Sequence, residues 1–131
     1  MNPMIRCALA AIALVAAAPA LAQTHLVARP FPADALRGDL QIGAAPDVLL
    51  NGKPARLAPG SRIRGETNFV MQPGELVGQR LRVHYTQESD GLIKEVWVLN
   101  LPERANKVWP ANRQQAAAWR FDHATQTWSK P

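Results

Sequence analysis

Two alternating runs around one turn pair decide the fold: Arg80-Leu81-Arg82-Val83-His84-Tyr85-Thr86-Gln87-Glu88-Ser89-Asp90-Gly91-Leu92-Ile93-Lys94-Glu95-Val96-Trp97-Val98. In the first run Leu81, Val83 and Tyr85 fall on one face and Arg80, Arg82 and His84 on the other, the period of a half-buried strand. Asp90-Gly91 tolerates the positive φ of a tight turn, so residues 92–101 return as the partner strand. The side taken by Trp97 depends on loop length. A two-residue loop pairs Tyr85 with Val96 and leaves Trp97 outside beside His84; a three-residue loop pairs Val83 with Trp97.

Upstream, all eight glycines lie between Gly38 and Gly91 and separate further alternating runs. Leu40 and Ile42 alternate with polar neighbours. Asp47-Val48-Leu49-Leu50 meets the hairpin pair Asn51-Gly52, and Lys53 to Leu57 returns. Pro59-Gly60 predicts a turn before Ser61-Arg62-Ile63-Arg64, and Pro73-Gly74 and Gly78 bound a loop leading into the strand from Arg80. Residues 31–37 allow no more than a helical turn ending at Gly38. Five or six short strands in this span fit a small OB-like or SH3-like barrel, with a meander sandwich as the alternative. The chain is therefore mostly β, with an irregular or partly helical C-terminal tail.

The first 22 residues carry an address. A short start with Arg6 precedes the uncharged apolar run Cys7 to Ala18, then Pro19 and the small-residue site Ala20-Leu21-Ala22. That run is shorter than the roughly 20 residues a spanning helix needs, so a cleaved signal peptide is expected, with no transmembrane segment after cleavage. Cleavage removes Cys7, the only cysteine, so stability rests on the core without a disulfide. The expected location is periplasmic or secreted, and the expected organisation is signal peptide 1–22, arm 23–37, barrel 38–103 and tail 104–131.

Charge divides at the barrel's end. Residues 38–103 hold seven Lys/Arg against eight Asp/Glu, whereas residues 104–131 hold five basic residues against Asp122 alone. Trp109, Trp119 and Trp128 sit among these cations. Such a mix suits either an anionic surface or a tail that folds back over a barrel edge or mouth. The change of pattern predicts a tail energetically separable from the barrel, and Asn112 is placed to cap a helical stretch from Arg113 to Phe121.

Val48-Leu49-Leu50-Asn51-Gly52-Lys53, Leu57-Ala58-Pro59-Gly60-Ser61-Arg62-Ile63-Arg64-Gly65, Leu76-Val77-Gly78-Gln79 and Gly91 to Leu99 together resemble short exported proteobacterial proteins of unknown function. More loosely, they resemble periplasmic β-barrel domains with recurring N-G and D-G hairpins. The resemblance spans roughly residues 36–101. It implies a small periplasmic barrel and carries over no catalytic residue.

Catalytic signatures are sparse: the chain's histidines are His25, His84 and His123, with neither a metalloprotease helix motif nor a nucleophile elbow. The expected function is a non-catalytic binding or accessory module of the cell envelope, with an unknown envelope component as partner. A hydrolase with a spatially assembled site is one alternative. Another is a binder of an anionic polymer: glycan, lipid headgroup or nucleic acid. Arg62 and Arg64 share one strand face, as do Arg80, Arg82 and His84, and if those strands are neighbours the five form one surface, with Trp97 nearby. Opposed to this is an ordinary solvated face balanced by Glu66, Glu88 and Glu95. No cofactor is expected from the barrel. A chain beginning Gln23-Thr24-His25 would nevertheless offer an amine, two amides and an imidazole in one plane, a tetragonal set for Cu(II) or Ni(II).

The alternation predicts a core of Leu40, Ile42, Val48, Leu50, Leu57, Ile63, Leu81, Val83, Tyr85, Val96 and Val98. Val83→Ala should therefore cost roughly 1–4 kcal/mol of stability. An unchanged urea midpoint would remove Val83 from the core.

Overall fold

The structure, a computed structural model, describes residues 26–131. The strands are β1 (Leu36–Ile42), β2 (Asp47–Leu50), β3 (Lys53–Arg64), β4 (Val70–Met71), β5 (Arg80–Gln87), β6 (Ile93–Val98), β7 (Arg120–Asp122) and β8 (Thr127–Ser129). Two short helices, α1 (Leu101–Ala105) and α2 (Arg113–Ala118), lie between β6 and β7. A 3-10 turn at Pro73–Leu76 precedes β5 and buries Leu76. Among the described residues no helix is long and apolar enough to cross a membrane.

β1, β2 and β3 form an antiparallel meander, β5 returns to pair with β1, and β6 lies between β5 and β3. Parallel pairing of β3 with β6 closes the five-stranded barrel, while β4 adds a short strand to β3. This Greek-key closure is OB-like. Asn51 and Gly52 both take positive φ, 53° and 79°, as the β2–β3 hairpin requires.

Pro59-Gly60 is not a turn. β3 runs unbroken for 12 residues, and Gly60 at φ 77° bends it where its register against β6 shifts. The bend lets one strand pair first with β2 and then with β6, which a straight strand could not do. Gly38 likewise sits inside β1 rather than ending a helical turn, because the β2–β3 turn closes on it. A Cβ there would lie 3.0 Å from Asn51 Oδ1 and 3.1 Å from Leu50 Cδ1.

The barrel interior contains the expected core, with Val98 only partly buried, and adds Leu36, Leu76 and Ile93. Ile93 and Val96 are both fully buried despite a spacing of three. A register shift between Thr86 and Gln87 accommodates the odd spacing. Near the turn Gln87 faces Ile93, as a three-residue loop dictates; beyond the bulge Tyr85 faces Val96 and His84 faces Trp97. Trp97 therefore lies on the outer face beside His84.

The tail, expected to be irregular or partly helical, also carries strands in the β7–β8 hairpin, and α2 stops at Ala118 rather than Phe121. It also shares a buried cluster with the arm and the barrel. Phe31, Ala35, Leu99, Trp109 and Trp128 form a second buried cluster, joined by the partly buried Trp97, Trp119 and Phe121. This cluster covers the outer face of β1, β5 and β6, and Ala116 of α2 packs against the interior cluster as well. The Trp109 indole N–H donates to the Ala35 carbonyl at 2.8 Å, and the Arg37 amide donates to Pro110 O at 2.9 Å.

The arm and α1 are tied together by a buried ion pair. Arg29 donates to both Glu103 carboxylate oxygens, at 2.9 and 2.7 Å, and its backbone amide adds a third bond. Glu103 also completes a capping box with Asn100. Trp109→Ala should consequently cost about 3–5 kcal/mol, as expected for a buried aromatic. A urea midpoint equal to that of the unaltered protein would restore the separable tail.

Candidate functional site

The outer faces of the strands carry the chemistry, and their neighbours follow from the register. One row across the barrel reads Arg64, Trp97, His84, Arg37 on β3, β6, β5 and β1; the next reads Arg62, Glu95, Thr86 on β3, β6 and β5. β3 and β5 are thus not neighbours. The single cationic surface expected from Arg62, Arg64, Arg80, Arg82 and His84 is divided by β6, which places Glu95 and Trp97 between the two groups. Arg82 is further engaged by Asp39 across β1, at 3.1 Å.

His84 is buried, with 1% exposure. Trp109 stacks on it at 4.1 Å between ring centroids, and Phe31 meets it edge-on at 4.3 Å. Arg37 Nε donates to His84 Nε2 at 3.1 Å, which assigns the imidazole proton to Nδ1. Arg37 also donates to the backbone carbonyls of Asn106 and Glu103. Burial, then the charge of Arg82, bring Arg37 down to about 10, against an upward pull from Glu103. It remains a cation at neutral pH. Burial first, then Arg37, Arg29 and Arg82, push the His84 imidazole down to about 2. A histidine held neutral and capped on two sides is a structural acceptor for Arg37.

The accessible chemistry lies at the end of the same sheet. An open cleft of about 570 Å³ is bounded by Pro32 and Asp34 of the arm, by Thr86 and Gln87 at the end of β5 with Glu88 and Ser89 beyond it, and by Lys94, Glu95 and Trp97 of β6. This size falls within the roughly 300–1,000 Å³ range of small-molecule sites. Trp97 is half-buried and packs against Phe31 in a T-shaped contact, with 5.6 Å between centroids. A second cleft of about 550 Å³ adjoins it, sharing Asp34, Gln87 and Ser89 and reaching Arg113 of α2. Arg113 donates to Glu88 O at 2.7 Å, fixing the β5–β6 hairpin against α2.

Of the residues read as binding candidates, only Trp97 lines the larger cleft. Asp34, Gln87, Glu88, Ser89, Lys94 and Glu95 were not singled out as binding residues in the sequence. All but Asp34 lie within a few residues of the Asp90-Gly91 turn, and Asp34 joins them only through tertiary packing. Gln23, Thr24 and His25, the candidate Cu(II) or Ni(II) set, lie outside the described residues. Among the described residues no group of three or more His, Cys, Asp or Glu side chains is gathered for a metal. Comparison with models of protein families, with curated proteins and with solved structures finds no match.

The state of His84 makes stability depend on pH. The unfolded chain takes up a proton near the ordinary histidine value of about 6.5, whereas the folded His84 does not until about pH 2. Its contribution is therefore complete above about pH 6.5 and declines as the pH falls below it. Between pH 7 and pH 5.5 this single proton should remove about 1.2 kcal/mol. Urea midpoints at the two pH values should show that loss, and His84→Gln should largely abolish it. The same loss in the variant would assign the dependence to other groups.

Proposed function

We propose that this chain is a non-catalytic binding or accessory module of the cell envelope, exported by its signal peptide, that seats its ligand in the cleft walled by Trp97. The observation that carries the reading is the contrast between the two halves of one outer sheet face. Toward its centre the face is sealed, with His84 and Arg37 buried beneath Trp109 and Phe31. At its end the tail stops short and leaves an aromatic wall surrounded by polar side chains from three chain segments.

Support for a non-catalytic role comes from His84, whose Nε2 is engaged by a permanent cation and whose ring is covered. Neither general-base nor nucleophilic work suits that geometry. The division of the cationic strand faces by Glu95 and Trp97 weighs against an anionic polymer lying across the barrel.

Amide chemical-shift titration tests this. Soluble neutral, polyanionic and polycationic envelope-type oligomers are each added to the isotope-labelled protein. One class should move amides at residues 33–34, 86–89 and 94–97, and the oligomer should be recovered uncut. Shifts confined to β2 and the first half of β3, or a shortened oligomer, would overturn the reading.

A further inference from the structure

We propose that the ligand of the Trp97 cleft is an uncharged oligosaccharide, an inference that rests on the cleft being the binding seat. The half-buried indole of Trp97 lines the cleft, and the C–H face of a pyranose ring is a natural complement to an indole. Bracing by Phe31 holds that wall in place before any ligand arrives.

The polar lining selects by charge. Asp34, Glu88 and Glu95 repel a polyanion, while Lys94 inside the same cleft and Arg113 in the adjoining one offset most of their pull on a polycation. Sugar hydroxyls both donate and accept. They can therefore use the carboxylates as acceptors, Lys94 as a donor, and Gln87 and Ser89 as either.

The two clefts meet at Asp34, Gln87 and Ser89. That continuity suits a ligand longer than one ring, running from Trp97 past the β5–β6 hairpin toward α2. Gln87 and Ser89 lie where successive units would cross.

Calorimetric titration of the purified protein with a neutral N-acetylglucosamine pentamer, a heparin fragment and pentalysine tests the proposal. The neutral pentamer should bind with an affinity little changed between about 0.05 and 0.5 M salt. Trp97→Ala should weaken it by about tenfold or more. Because Trp97 also touches Phe31, Ser89→Trp provides a second blocking variant at an exposed hairpin position and should weaken the pentamer equally. Glu88→Gln with Glu95→Gln keeps hydrogen-bonding oxygens and should leave pentamer affinity within about threefold.

Trp97-dependent binding of heparin that fails at high salt would keep the seat and overturn the assignment of an uncharged ligand. Pentalysine binding abolished by the double glutamine variant would do the same. Pentamer binding indifferent to both Trp97→Ala and Ser89→Trp would overturn the seat itself, as would binding of none of the three probes.

Discussion

Trp109 lies flat on His84, and Arg37 reaches the same imidazole from the adjoining strand. This arrangement turns an outward-facing strand position into an interior one. A histidine, an arginine and several aromatic rings then form a second core on the outside of the barrel. The guanidinium remains stable there because its donors meet a ring nitrogen and two carbonyls, and its charge lies near the Trp109 face at 5.7 Å. The sheet is left with one sealed half and one open end, and that division places the Trp97 cleft.

The ion pair of Arg29 with Glu103 serves this second core from the other side. Arg29 also donates to the carbonyls of Gly65 and Val98, so one side chain joins the arm, the end of β3, the end of β6 and α1. A buried pair of this kind adds less net stability than its short distances suggest, because both ions lose water. Its value lies in geometry: it fixes where the arm crosses the sheet, and so where Pro32 and Asp34 stand at the cleft.

Much of the barrel was legible because each strand carries its own alternation, as with Leu81, Val83 and Tyr85, and because Asn51-Gly52 admits few backbone conformations. What escaped was non-local or broke the period. Ile93 was hidden by the bulge beside it in β6, where the extra residue Lys94 shifts the inward phase between Ile93 and Val96. Pro59-Gly60 carries the same residues whether the chain reverses or merely bends, and only the partner strand decides between them. His84 was placed on the correct outer face, but its burial depends on Trp109, a residue without periodic neighbours. The cleft was the least legible feature, since the arm, the hairpin and β6 meet there only through tertiary packing.

The Arg29–Glu103 contact joins residues 74 positions apart, and the contact of Phe31 N with Gln126 joins residues 95 apart. A chain made from its N-terminus therefore presents the arm long before its docking partners exist. The β2–β3 hairpin can form early from neighbouring residues, but the second core must wait for nearly the whole polypeptide. Until the last Trp arrives, the outer face of β1, β5 and β6 has no cover. That face becomes an interior only once Trp109 and Trp128 have been added.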